Sequence, residues 1–277
     1  MKSRRAFVSL LLLVALLSIG TDSIAKPLQV RLNRRLEVVS YTGKATYKLR
    51  EATGPVRVGL RLEDVGDTIK TGDQSSAVLA VDTGVGFVNL SENTTLQVQQ
   101  LQATPDGGRI TRLQVTGGQA RLEVRPFTNP NSRFEIETPA GLSGVRGTQF
   151  GVSVKPNGKT SVATLEGSVV EEAQGQAVAV DAGFRTLVIP GEPPSQPIPL
   201  REEAELEIRV LAAMEGDRAR IRGLIDPFNL LIVASALQNV ERTGEFDITV
   251  PLPKQRKIQA VVVTPLGQRQ TYELLVP

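Results

Sequence analysis

The chain has 277 residues, with 32 Lys plus Arg against 29 Asp plus Glu, 40% apolar residues, and no His, Cys or Trp. Without imidazole or thiol there is no Ser-His-Asp or Cys-His machinery, no His/Cys zinc site, no haem histidine and no disulfide. The length suits about two domains at roughly 150 residues each, with enough apolar residues for real cores.

Lys2, Arg4 and Arg5 precede an uncharged run from Ala6 to Gly20 dominated by Leu, Val and Ala. A basic start followed by a short apolar run is the pattern of a secretory signal peptide, and the run is shorter than the roughly 20 residues of a membrane-spanning helix. Ser23-Ile24-Ala25 supplies small residues at the positions a signal peptidase inspects, so residues 1–25 are expected to be removed after Ala25. An uncleaved anchor is the alternative, and would be the only membrane contact. Loss of Lys2, Arg4, Arg5 and Asp22 leaves a nearly neutral mature chain, which removes the electrostatic motive for binding nucleic acid.

From there the chain alternates with period two in short runs rich in Val, Leu, Ile and Thr, the pattern of strands. Ala120 to Val124, Phe134 to Thr138, and Phe150 with Val152 and Val154 read as half-buried antiparallel sheet. Turns are expected at Asp82-Thr83-Gly84, Pro105-Asp106-Gly107-Gly108, Thr116-Gly117-Gly118 and Pro156-Asn157-Gly158, where residues tolerate positive φ. Residues 191–200 are rich in proline and read as an extended linker. Beyond it, Ala204, Leu206, Ile208 and Val210 alternate with charged residues, which favours a strand over an acidic helix. Further runs at Ala219 to Gly223, Leu230 to Ala234, Phe246 to Val250, Ile258 to Thr264 and Tyr272 to Val276 suit a small sandwich.

Residues 138–183 carry Thr138-Pro139, Gly141, Val145-Arg146-Gly147-Thr148, Phe150, Val152, Leu165-Glu166-Gly167, Val169 and Ala182-Gly183. In this order and spacing the segment resembles the FecR-type periplasmic domain family, over about residues 40 to 190. The resemblance implies envelope signalling, in which a cytoplasmic segment handles a sigma factor and the periplasmic domain senses an outer-membrane receptor. Five residues precede the apolar run, so the cytoplasmic part and direct sigma-factor control are not expected here. Residues 201–277 resemble bacterial immunoglobulin-like domains through Gly223, Asp226-Pro227, Gly244-Glu245-Phe246 and Leu266-Gly267, although Ala234-Ser235 stands near the place of the usual Asn-Gly hairpin.

The favoured reading of Arg146, flanked by Gly144 and Gly147, is that it crosses the roll and satisfies backbone carbonyls left by an irregular turn; the alternative is that its five donors take a partner's carboxylate. Thr138-Pro139 reads as the end of a strand, and Thr148 as a local hydrogen bonder. The glycines at 141, 144 and 147 lack the following helix and the Lys-Ser/Thr pair of a phosphate loop. Glu135 with Glu137, and Glu205 with Glu207, share a sheet face by spacing, but a glycosidase cleft usually has aromatic platforms that this chain lacks. Asp64, Asp67 and Asp73 lack the spacing of a calcium loop.

The expected fold is all-β: an antiparallel FecR-like β-sandwich or roll at 26–190, a linker at 191–200, and a small immunoglobulin-like β-sandwich at 201–277. The expected function is that of a non-enzymatic periplasmic or extracellular envelope protein, an adaptor or sensor binding a protein partner, without cofactor, metal or catalytic residues. Thr138, Pro139, Val145, Arg146, Gly147, Thr148, Phe150, Leu165, Glu166, Gly167 and Gly183 are its structural or partner-binding motif residues. The alternative is a structural module bound to cell wall or polysaccharide.

Overall fold

The computed structural model describes residues 34–277; the expected signal segment lies outside the described residues. The chain starts in one sheet with β1 (Leu36–Thr42) and crosses to a second for β2 (Ala45–Leu49) and β3 (Ala52–Pro55). It returns for β4 (Arg61–Leu62), crosses for β5 (Thr68–Thr71), returns for β6 (Ser76–Val81) and β7 (Gly86–Leu90), and crosses for β8 (Thr95–Ala103). β9 (Arg109–Val124) serves both sheets, pairing with β8 along its first half and with β7 along its second. Four hairpin units follow. β10 (Arg133–Glu137) and β11 (Leu142–Val145) join the second sheet, β12 (Thr148–Val154) and β13 (Thr160–Glu166) the first. β14 (Ser168–Ala173) and β15 (Gln176–Asp181) join the second, β16 (Phe184–Val188) and β17 (Ile198–Pro199) the first.

The first sheet therefore runs β4-β1-β6-β7-β9-β12-β13-β16-β17 and the second β3-β2-β5-β8-β9-β10-β11-β14-β15. Every pair is antiparallel except β9 with β10. Alternate residues of both sheets meet in one core, among them Leu79, Val88, Leu122, Phe150 and Val152 from the first and Ile69, Leu96, Leu113, Phe134 and Ile136 from the second. Each such side chain contributes roughly 1.5–3 kcal/mol through burial. The Thr116-Gly117-Gly118 segment is a correction: it is no turn between strands but the bend inside β9 where the chain changes sheets. Gly118 has φ +84, and a Cβ there would lie 2.6 Å from the Asn93 carbonyl oxygen.

The remaining strands are β18 (Glu207–Met214), β19 (Arg218–Leu224), β20 (Leu230–Val233), β21 (Ala236–Gln238), β22 (Glu245–Pro251), β23 (Lys257–Val263) and β24 (Arg269–Leu275). They form a three-stranded sheet, β18-β19-β22, and a four-stranded one, β21-β20-β23-β24. Ala219, Ile221, Phe246 and Val250 pack across to Leu231, Val233, Ala260 and Val262. The strand expected from residue 201 begins at Glu207, and a bulge between Ile208 and Val210 ends the strict alternation.

The four-stranded sheet is buried on its other face too. Leu230, Ile232, Val261 and Val263 form a separate buried cluster, and the residues next to them in sequence bond to the outer side of the first sheet. Gln119 Nε2 donates to the carbonyls of Thr264 and Pro265, at 2.7 and 3.0 Å, and Lys155 Nζ donates to the Pro227 carbonyl at 2.8 Å. Gly151, Ser153, Ser161, Ala163, Arg185 and Leu187, the outward residues of β12, β13 and β16, are all buried. β12 is thus covered on both faces rather than half-buried, because the C-terminal module lies on it. The proline-rich segment is held as well: Ser195 exchanges hydrogen bonds with Leu187, and Ile198-Pro199 extends the first sheet. All described residues fall in one compact unit.

Candidate functional site

The motif residues fall at two ends of the sandwich: Thr138 and Pro139 at the end that holds the β12–β13 turn, where Thr160 bonds Thr138 Oγ1 and Gly158 lies against Pro139, and most of the others at the opposite end, where the chain passes between sheets. Thr138 closes a turn: its Oγ1 accepts the N–H groups of Ala140 and Gly141, and its own N–H donates to the Gly141 carbonyl at 2.9 Å. Pro139, with no N–H to place, occupies the bend. Val145 ends β11 with its side chain in the core, and Phe150 lies in the same core from β12. Between them the chain crosses against Pro126. Gly147 has φ +144, and a Cβ there would stand 2.6 Å from Pro126 Cα. Gly167, at φ +79, packs on that crossing; its Cβ would stand 2.6 Å from the Gly147 carbonyl oxygen. Thr148 Oγ1 donates to the Ser168 carbonyl at 3.0 Å, and the N–H of Gly183 to the Thr164 carbonyl at 2.9 Å. Most of these residues therefore shape turns and the chain crossing.

Apart from exposed Pro139, Gly167 and Gly183, three of them face out. Arg146 is exposed, and its Nη2 reaches only the Asn129 carbonyl, at 3.3 Å. It does not thread the roll to satisfy a row of carbonyls. The loop beneath it is fixed by Asp106, whose carboxyl is held down to about 2 by hydrogen bonds from Thr104, Asn131 and Asn129. Leu165 is the extra residue of a bulge: Phe150 pairs with Thr164 and Gln149 with Glu166. The bulge turns Leu165 into solvent, 52% exposed, beside Glu166, which accepts from Gln149 Nε2 at 2.8 Å.

Phe87, Glu123, Gln149 and Glu166 stand opposite one another in turn across β7, β9, β12 and β13. With Arg125 and Pro126 they line a shallow open groove of about 340 Å³. This row is the first that the C-terminal module leaves uncovered: in the next, Gly151 lies against Pro265 and Arg121 against Gly267. The groove offers two carboxylates, the Arg125 guanidinium and the partly exposed ring of Phe87, with exposed Leu165 next to Glu166 in the chain. It suits an extended or amphipathic polypeptide.

Four of the other acidic candidates are engaged elsewhere. Glu135 pairs with Arg112 at 2.7 Å and Glu207 with Arg209 at 3.0 Å. Asp67 Oδ2 accepts the N–H groups of Glu63 and Asp64, and Asp64 pairs with Arg50. Among the described residues no group of three or more acidic side chains is placed to hold a metal ion.

Sequence reasoning missed the buried polar residues. Arg185 is enclosed between the modules, ion-paired with Asp226 at 2.8 Å and stacked 4.2 Å from the Phe228 ring. Lys155 is fully buried, and burial, assisted by Lys159, pushes its ammonium down to about 7. Glu171 is buried in the first module, where burial raises its carboxyl to about 7 against the opposing hydrogen bond from Ser143. The signal available was the small outward residues of β12 and β13, Gly151, Ser153, Ser161 and Ala163, which fit a covered sheet better than a solvated one.

Comparison with known proteins gives one family. Residues 67–170 match the model of the family described as FecR protein. Two crystal structures of a candidate anti-sigma factor from Parabacteroides distasonis are similar at 16% identity and TM-score 0.40, covering 50% of this chain and 60% of that one. A polysaccharide lyase is similar at 10% identity and TM-score 0.21, covering 87% of this chain and 39% of the lyase. The chain thus spans about 60% of the length of the first solved relative it resembles. No curated protein matches the sequence.

Proposed function

We propose, from the premise that residues 67–170 form a FecR domain, that this chain is a non-enzymatic exported envelope protein that binds another protein, as an adaptor or sensor in envelope signalling. Export rests on the basic and apolar pattern of residues 1–25. An immunoglobulin-like reading of the C-terminal module rests on its three-plus-four strand sheets. The carrying observation is the corner itself: Gly147, Thr148 and Gly167 are consumed by the chain crossing, while Phe87, Glu123, Arg125 and Glu166 line one groove, with exposed Arg146 and Leu165 next in the chain to its lining residues Gly147 and Glu166.

Photoreactive residues at 87, 149 and 165, introduced into the protein in its native envelope, test this. One and the same protein should be captured from all three and lost when Arg146→Glu is added, while a probe at exposed Val39 stays silent. Capture of peptidoglycan or polysaccharide instead would favour the structural-module reading. Export is checked separately by fractionation, with loss of the protein from the envelope when residues 6–20 are interrupted by charge.

A further inference from the structure

β14 and β15 form a hairpin at the end of the second sheet, inserted in the chain between β13 and β16. Those two strands pair with each other directly, from Thr160 with Val188 to Ala163 with Arg185, so the first sheet is closed without the hairpin. The base of the hairpin is well held. The Ala182 N–H donates to the Gly167 carbonyl, Thr148 Oγ1 to that of Ser168 and Thr164 Oγ1 to that of Val180, while Val169 and Val180 lie in the core. Its outer half is held less. Three residue pairs join it to β11: Gly144 with Val170, Ser143 with Glu171, and Leu142 with Glu172. The inward side chains there are Glu171, Ala173 and half-buried Val178, so little apolar burial opposes lifting of the tip.

Glu171 is the middle member of those three pairs and is fully buried. Its Oε2 accepts from Ser143 Oγ, whereas Oε1 has no hydrogen-bond partner and faces the Gly141 backbone, where a Cβ would stand 2.8 Å away. Among the described residues no charge is turned toward it. The inward side chains of β11, β13, β15 and β16 around it are Ser143, Thr160, Val162, Val178, Thr186 and Val188. Lys155, Lys159 and Arg185 reach from the first sheet the other way, into the C-terminal module, and Glu137, Glu172 and Asp181 stand on the outer side of the second sheet. An ionised carboxylate at this place would be buried without a counter-charge, and such a group either keeps a proton or is opened to water. We propose that residues 170–179 are a flap controlled by the proton on Glu171, closed on β11 while the carboxyl is neutral and lifting at the tip once it ionises. The device goes beyond the partner reading above and does not depend on it. Burial raises the carboxyl from 4.5 to about 7, so the closed flap keeps a proton that the lifted flap releases. Closure is therefore favoured in acid, and lifting gains about a hundredfold from pH 4.5 to 7 and levels off above. Lifting bares the β11 edge, which the protein would cover in acid and offer near neutrality.

Hydrogen exchange of the purified protein, followed by mass spectrometry from about pH 5 to 7 and corrected for the intrinsic exchange rate, tests this. Amides at 170–179 should open more often than those of β12 and β13, with a frequency that rises about fivefold or more per pH unit and does not respond to low urea. Glu171→Gln should remove that rise. Because the natural chain has no Cys, Gly144→Cys with Val170→Cys places one thiol pair across the β11–β14 contact, and its oxidation should suppress exchange at 170–179 at every pH with Glu171 still in place. Exchange at 170–179 no faster than in β12 and β13, a frequency flat with pH, or a rise that survives Glu171→Gln would each overturn the flap. Should Glu171→Gln impair folding, the linked pair decides alone, and a pH-dependent exchange that persists under it would overturn the assignment.

Discussion

Gly147 has no room for a methyl group, since its Cβ would enter Pro126 and its φ of +144 suits no L side chain. Gly147→Ala is therefore expected to cost roughly 2–4 kcal/mol, read as a drop in denaturation midpoint, whereas Gly175→Ala meets no atom and should cost about 1. Equal costs at both sites would contradict the close crossing. Charge at single residues sets the pH dependence. Burial raises Glu171 from 4.5 to about 7, so the folded state binds a proton that the unfolded chain has released; that stability is full below 4.5 and is lost as pH rises through 7. Burial lowers Lys155 from 10.5 to about 7, so its contribution is full above 10.5 and is lost as pH falls through 7. Thermal melts should accordingly lose the slope between pH 4.5 and 7 in Glu171→Gln and the slope between 7 and 10.5 in Lys155→Met. A slope unchanged in either variant would mean that the group is solvated. Lys155 could not be singled out from its neighbours in sequence, because alternation says which face a residue takes and not whether a second layer covers that face; Glu171 shares the inward face with Val169 and Ala173, but the run Val169-Val170-Glu171-Glu172 alternates too weakly to show it.

The β20–β21 hairpin shows how far an element can be read and where reading stops. Val233 pairs with Ala236, so Ala234-Ser235 forms the whole loop, and both have positive φ, 49 and 65. Such a loop favours Asn-Gly, since Ala and Ser each lose roughly 1–2 kcal/mol in the left-handed region. Ala234→Asn with Ser235→Gly should stabilise the protein by about 1–2 kcal/mol in urea unfolding, and a loss instead would mean that the natural pair is needed for the contact between Asn93 and the Ser235 carbonyl. The missing Asn-Gly was visible in the sequence; the three-residue β21 behind it was not, because it is too short to alternate. The strands from Ala219 to Val276 were legible almost to their ends, since Ile221, Phe246 and Ile258 each sit between charged or polar neighbours. β9 misled because paired glycines mark a reversal and a bend with the same residues, and only the partners of Val115 and Ala120, in different sheets, tell the two apart.

At the scale of the molecule, four β layers stack, and the contact between the middle two joins an apolar patch to a buried ionic one. Leu230, Ile232, Val261 and Val263 would be uncovered if the modules separated, at roughly 1.5–3 kcal/mol per side chain. Arg185 with Asp226, and Lys155 and Lys159 on the carbonyls of Pro227 and Val240, surround that patch and have partners only while the modules stay together. Breaking such partners leaves buried charge uncompensated, which penalises partial separation as well as full separation. The two modules should therefore unfold as one cooperative unit despite their separate cores, giving a single calorimetric peak. Gly151 is the place to break this, because its backbone is ordinary strand and its missing Cβ is what lets the Pro265 carbonyl approach, with the carbonyl carbon 3.0 Å from where that atom would lie. Gly151→Val leaves both cores intact and wedges the layers apart. It should split the single transition into two and open the proline-rich segment at 191–200 to protease, and a single transition retained in Gly151→Val would show that the modules are not held by this face.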